Sequence, residues 1–451
     1  MVDKMIENIV ERGIKVGTKL GANEVEVYAI RRVGTDIVGT IRGIERLSSG
    51  ERIDAGVRVV IGKKVSVQGG MISRIEDLDL IVETAVKIAK TLPEDPQWIS
   101  LSRELGKSHV EETLDPKVVE PETDYFIEIV QFLLKKSGEI DKRAFTSSAS
   151  IHLSTVERAI GNNYGEIQRE DATEASVFVS VKAVEAGEES GYYEAYVAPT
   201  LARFNPDELI SKATEVAVKT LGARRVDTGV YELVFIPKVF AGVVQSLVVP
   251  AVCADSVQKG RSPLKGKFGS QVFSENLTFI DDGTYPGLTG TRGFDDEGVP
   301  TKRKVVFDRG VLSGFLYDTY TALVEGKNST GNAFRNVPYS TPTPWISNLL
   351  VEPGSGDLSN LVKDVKKGVI VYATIGEWLS NPVSGLLNAT ITNGIYVESG
   401  EEKFPVKGVV LSGNVYEVLK PVEVRVSRSL ERFGRFSLPA IYVPKITLAG
   451  K

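Results

Sequence analysis

The sequence predicts an α+β fold in two domains, and three features of its 451 residues carry that expectation. Apolar residues at helical spacing alternate with short β-branched runs through the first half. The same order of elements occurs twice there. The second half is dense in hairpin-turn signals. The expected arrangement is an N-terminal α+β domain over 1–224, holding duplicated helix–antiparallel strands–helix units at 1–92 and 120–222. A C-terminal domain over 228–451 should follow, as an antiparallel sheet or partial barrel with a few helices. The length agrees, since single cores seldom grow beyond about 250–300 residues.

In order, Ile6, Ile9, Val10, Ile14, Val16 and Leu20 place a helix over 3–20, and Gly21 stands where it should stop. Strands are expected at 24–32, 36–46, 55–61 and 64–68, separated by turn chemistry at Gly34, Ser48-Ser49-Gly50 and Gly62. A second helix over 75–91 ends before Pro93. Residues 93–121, with four prolines and many charges, read as a connecting loop. A helix over 122–136 and strands at 145–155, 165–170, 175–184 and 191–198 repeat the order. Asn205-Pro206-Asp207-Glu208 then opens a last helix with a cap, a proline at the first position and acids in the first turn. Gly222 to Gly229 is the expected boundary. Beyond it come a strand at 230–236 and a helix from 238 that Pro250 must kink or end. Turn signals follow at Asp281-Asp282-Gly283, Asp308-Arg309-Gly310, Asn393-Gly394 and Ser399-Gly400. Between them lie β-branched runs at 304–307, 368–372, 394–398, 406–411 and 423–426.

Composition narrows the function. Lys and Arg total 54 against 59 for Asp and Glu, a formal net charge of −5, which gives no footprint for nucleic acid. The single Cys253 excludes an intrachain disulfide and a four-thiolate zinc site, and fits a reducing, cytoplasmic setting. Acids inside the first apolar stretch argue against a signal peptide. The longest apolar stretch, Tyr231 to Cys253, is broken by Glu232, Lys238 and Gln245 and by prolines 237 and 250, so no membrane span is expected. Gly106-Lys107-Ser108 and Gly260 to Lys267 both miss the spacing of a phosphate loop. There are two histidines, His109 and His152. A Cys253–His152 nucleophile pair is conceivable, yet the residue contexts read as a small buried hydrophobe and a strand-face imidazole. Phe294-Asp295-Asp296-Glu297-Gly298 sets three carboxylates in a row. They could hold a divalent cation or a positive group, or form a solvated turn before the strand at 303–307.

The C-terminal segments gain meaning as an ordered set: Ser262-Pro263-Leu264-Lys265-Gly266, Asp281 to Thr284, Phe294 to Thr301, Gly310-Val311-Leu312, and Ser329-Thr330-Gly331-Asn332-Ala333. Gly394 to Gly400, Pro405-Val406 and Ser412-Gly413-Asn414 follow. Together they resemble the TldD/PmbA (TldE) family of metallopeptidases, over essentially the whole chain. The resemblance implies that TldD-type subunits carry an H-E-x-x-x-H zinc motif on the helix before the Ser262-like segment. PmbA- or TldE-type partners lack it and pair with TldD as a heterodimeric peptidase acting on peptides or unfolded chains. Here Leu247 to Ser256 contains neither His nor Glu. The resemblance therefore implies a non-catalytic, zinc-free partner subunit, with zinc in the TldD-type chain and no cofactor or catalytic residue in this one. Asp295, Asp296, Glu297, Asn332 and Arg335 are the expected cleft or interface residues. The alternative is a homodimer that encloses peptides without cutting them. The chain departs from the family pattern at Pro382 to Thr390, which lacks an acid–aromatic pair, and at Ile395-Tyr396, which replaces two aromatics. A family name as a gyrase modulator finds no support in charge or motif.

Overall fold

The computed structural model describes residues 4–450. In the first half, α1 (Met5–Lys19), β1 (Glu24–Thr40), β2 (Gly43–Ile61), β3 (Lys64–Met71) and α2 (Ile75–Thr91) form one unit. After a short α3 (Pro116–Val119), the order returns as α4 (Thr123–Ile140), β4 (Ala144–Asn162), β5 (Gln168–Glu185), β6 (Glu188–Ala198) and α5 (Pro206–Lys219). All six strands share one sheet, ordered β3-β2-β1-β4-β5-β6, so the leading strands of the two units pair at its centre. Helices α1 and α2 cover Val25, Val27, Ala29, Val57 and Val59. Helices α4 and α5 cover Ile151, Leu153, Val177 and Val179. The cap at α5 is as the sequence implies: the Asn205 side chain accepts from the Asp207 and Glu208 amides at 3.1 and 3.3 Å.

Two of the expected turns are absent, and the reason is pairing. Gly34 faces Gly50, Thr35 faces Ser49 and Asp36 faces Ser48 in one β1–β2 ladder, which shifts register between Val38 and Gly39 and turns at Ile41-Arg42. Turn-prone residues set opposite one another stay extended because each ladder bond satisfies backbone groups that a turn would expose. The strands expected at 165–170 and 175–184 likewise merge into β5. The 93–121 segment is not a loose connector either. Trp98 and Leu101 are buried, and the Trp98 indole donates to Glu24 at 2.8 Å. Further along, the Gly106 and Ser108 amides donate to the carbonyls of Gly298 and Gly293 at 3.0 and 2.9 Å, strapping the acid loop of the second half.

The second half runs β7 (Gly229–Phe235), α6 (Pro237–Val243), α7 (Val249–Val252), α8 (Ala254–Gln258), β8 (Phe279–Asp282), β9 (Arg303–Asp308), β10 (Val311–Leu312) and α9 (Thr319–Val324). Next come β11 (Ala333–Phe334), β12 (Thr343–Pro344), β13 (Leu349–Val351), α10 (Leu358–Lys363), β14 (Lys367–Ile375) and β15 (Leu386–Glu398). The chain finishes with β16 (Glu401–Val406), β17 (Val409–Asn414), α11 (Val415–Val418), β18 (Arg425–Phe433) and β19 (Phe436–Ala449). Strands β7, β14, β15, β17 and β19 close on themselves as a barrel, and β13, β8, β9 and β10 extend it from β19 as a half-barrel. The helical run from Pro237 fills the barrel side, with Phe240 and Leu247 fully buried beside Phe273, Phe279 and Phe307.

Here the turn signals divide. Arg309-Gly310 and Ser399-Gly400 adopt positive φ and turn tight hairpins, as their residue types favour. Asp281-Asp282-Gly283 ends β8 but opens the long excursion to β9. Asn393-Gly394 does not turn at all. It lies inside β15, where the Asn393 amide donates to Thr220 Oγ1 and Gly191 O at 2.9 and 3.0 Å. Those bonds to the first half hold an intrinsically turn-prone pair extended. Pro250 is accommodated by a π-helical turn, Val244–Val248, immediately upstream, and the helical run breaks at Cys253. Among the described residues no helix is long and apolar enough to cross a membrane.

Candidate functional site

Strands β1, β2 and β4 bury both faces. One carries Val25, Val27 and Ala29 under the helices; the other carries Glu26, Tyr28, Arg58 and Val156, and the acid loop of the second half lies on it. Phe294 enters an apolar cluster with Tyr28, Ile30, Val156 and Ile160. Behind it the three carboxylates turn inward, so the loop is not a solvated turn: Asp295, Asp296 and Glu297 are 1%, 3% and 1% exposed.

Each carboxylate has a distinct set of partners. Glu297 meets Arg58 at 2.8 Å and accepts from the Thr319 amide at 2.7 Å. Arg58 also meets Glu26 at 2.7 Å, and Glu26 in turn pairs with Arg335. Asp296 takes Arg292 and the Tyr28 hydroxyl, both at 2.7 Å, and the Arg335 amide at 2.8 Å. Asp295 accepts three backbone amides, from Glu297, Val299 and Ala333. Asn332 donates to Asp281 and to the Trp345 carbonyl, both at 2.8 Å. The structure thus gathers all five residues singled out in the sequence at the joint between the halves. They are buried in a charge network, and Asp296 and Arg335 also line a cavity. Sequence reading missed their partners Glu26, Tyr28 and Arg58. These sit at alternate positions of strands, where nothing local marks them as more than polar strand residues.

Beside this network lies a cavity of about 650 Å³, lined in part by Arg58, Trp98, Asp255, Gln258, Asp318 and Tyr320. Burial and the nearby Glu297 charge push Asp318 up to about 7. Asp295 is also raised, by burial and then by Glu297. Glu297 itself is held below its usual range by Arg58 and the Thr319 bonds, against its burial. Burial beside the charged Glu297 thus favours the protonated forms of Asp295 and Asp318 near neutral pH.

The cavity is flanked by α8, at the end of the segment Leu247 to Ser256 that the sequence resemblance marks for a zinc motif in TldD-type chains. The donors there do not fit zinc. Cys253 is buried, its thiol donates to the Val249 carbonyl at 3.2 Å, and burial pushes its pKa well up. His152 pairs with Asp36 at 2.9 Å and His109 with Glu111 at 3.2 Å, both on the exposed surface of the first half. No imidazole activates the thiol, so a Cys253–His152 nucleophile is excluded by placement.

The chain is thus a doubled helix–sheet unit strapped to a closed barrel through an inward-facing acid loop. A family model described as the PmbA/TldA metallopeptidase C-terminal domain matches residues 228–450, and one for the central domain of the same family matches 112–221. The chain belongs to the PmbA/TldD family. An uncharacterised protein of Methanocaldococcus jannaschii is 29% identical over 448 residues, covering 96% of this chain and 97% of that one. A metalloprotease PmbA homolog of Haemophilus influenzae is 22% identical over 99% of this chain and 97% of its own length. The crystal structure of TldE from Thermococcus kodakarensis superposes with a TM-score of 0.90 at 24% identity, covering 98% of this chain and 100% of that one.

Proposed function

We propose that this chain is a non-catalytic, zinc-free subunit that pairs with a TldD-type zinc peptidase in the cytoplasm and helps enclose its peptide substrate. The carrying observation is the donor set from Leu247 to Ser256. It contains neither histidine nor glutamate, and its one thiol is buried and already bonded to Val249. Zinc-activated hydrolysis needs about three protein ligands with an open fourth position and a base beside the bound water, and this segment offers neither. Full-length likeness to a TldE structure and to a PmbA homolog supports the same reading. In it, Asp295, Glu297 and Asn332 fix the shape of the joint, while Asp296 and Arg335 face a ligand.

The test is peptide hydrolysis by the purified chain alone with added zinc, and after mixing with the TldD-type subunit of the same organism. The expected outcome is no cleavage alone and zinc-dependent cleavage by the mixture. Cleavage by the single chain would sink the proposal. A tight homodimer in light scattering that never exchanges with the TldD-type subunit would replace it with a peptide-binding homodimer.

A further inference from the structure

A second cavity, about 370 Å³, opens on the other side of Asp296, between strands β1, β2 and β4 and the 334–339 loop. Its lining is unusual in its arginines. Arg158 comes from β4, Arg292 from the acid loop and Arg435 from the turn between β18 and β19. Phe334 and Tyr339 contribute aromatic wall.

The three guanidinium groups are unequally matched by acids: against burial, Asp296 and Glu170 hold Arg292 and Arg158 above their ordinary range, and Arg435 has no such partner. Arg292 meets Asp296 at 2.7 Å, but Tyr28 and the Arg335 amide share that carboxylate. Arg158 forms an ion pair with Glu170 at 3.7 Å, too long for a hydrogen bond, so the facing Glu170 oxygen is also left without one, while its other oxygen accepts from the Gly293 amide. Arg435 has no carboxylate in contact among the described residues. It donates to the carbonyls of Ile346 and Ser347, both at 3.2 Å, and lies over the Phe334 ring. The Nε groups of Arg158 and Arg292 are buried with no hydrogen-bond partner among the described residues. Of the other acids on the lining, Asp54 is engaged by Arg52 at 2.6 Å, and Glu174 only partly offsets the excess. Burial and repulsion from Arg292 lower Arg435 to about 10, the direction expected of a cation short of counter-charge.

Unpaired donors on buried guanidinium groups are costly, and their planar forks match carboxylate and phosphate oxygens. We propose that this pocket binds a compact oxyanion, a carboxylate or phosphate group, held by Arg158, Arg292 and Arg435. The site stands independently of the partner-subunit reading, because it needs neither zinc nor a second chain.

The test is calorimetric titration of the full chain at low salt with three probes: inorganic phosphate, N-acetyl-dialanine as the free acid, and its C-terminal amide. At least one oxyanion should bind and the amide should not. Phosphate alone or the acid alone supports the site and names its source. Arg435→Gln should weaken the bound probe at least about tenfold, the scale of one charged hydrogen bond. Arg435→Lys should restore part of it, and the exposed Arg42→Gln should change nothing. Near-ultraviolet circular dichroism checks that the variant is folded; if Arg435→Gln is not, Arg158→Gln takes its place. Failure of both oxyanions to bind, or equal binding by a folded variant, would overturn the proposal.

Discussion

Two charge systems lie side by side on the inner face of the central sheet, and they are built to opposite ends. In the first, Glu26, Arg58, Glu297 and Arg335 are all at most 5% exposed, and two carboxylates answer two guanidinium groups. In the second, Arg435 meets only carbonyl oxygens, Arg158 and Arg292 each keep an unbonded Nε, and all three line an open cavity. The same residue types at the same joint act as a latch in one place and leave donors over in the other. What separates them is pairing, since a buried charge is tolerable when matched and costly when not.

The largest test breaks the closed system. Arg58→Met leaves Glu26 and Glu297 buried without their shared cation, and should cost about 3–5 kcal/mol in urea unfolding. A loss below about 1 kcal/mol would mean that the joint is wet and the pairing incidental. Next in size is the wall between the two systems. A side chain at Gly56 would place its Cβ 2.0 Å from the Pro338 carbonyl, so the 338–339 loop can sit where it does only over glycine. Gly56→Ala should cost about 1–3 kcal/mol by forcing that loop away. Since Pro338 and Tyr339 also line the arginine cavity, oxyanion binding should weaken with it.

Arg435→Gln should act in the opposite sense to Arg58→Met. Removing a buried cation that lacks an acid should leave unfolding stability within about 1 kcal/mol of the parent, tending upward. A loss as large as that for Arg58→Met would erase the distinction between the two systems. The last test is one of pH. Asp318 moves from 3.8 to about 7, so between those values the folded chain holds a proton that the unfolded chain has released. Its contribution to stability is greatest below about pH 4 and declines as pH rises toward 7. Asp318→Asn keeps a capping side chain before α9 and removes the titration. Relative to the parent it should therefore gain stability between pH 5 and pH 7 in paired urea melts; parallel curves would refute the shift.

Much of this could be read along the chain. The doubled order of the first half, the cap at Asn205, the hairpins at Arg309-Gly310 and Ser399-Gly400, and the family likeness of the second half each rest on residues close in sequence. The misreadings have a common origin. Gly34, Ser48-Ser49-Gly50 and Asn393-Gly394 carry turn chemistry, yet all run straight because a partner strand or a distant side chain claims their backbone or amide. The acid loop could be located, but not oriented. By residue type Asp295-Asp296-Glu297 reads first as a wet turn, until the cations that bury it are known.

By itself, then, the sequence determined the elements, their repetition and the absence of His and Glu from Leu247 to Ser256, because short-range sterics and capping act over a few residues. The tertiary structure alone decided which charges are matched. Arg58 finds Glu297 across 239 positions and Arg335 finds Glu26 across 309, while Arg435 finds only carbonyl oxygens. The free energy of a buried charge depends on what lies within a few ångströms in space, and sequence distance carries almost no record of that.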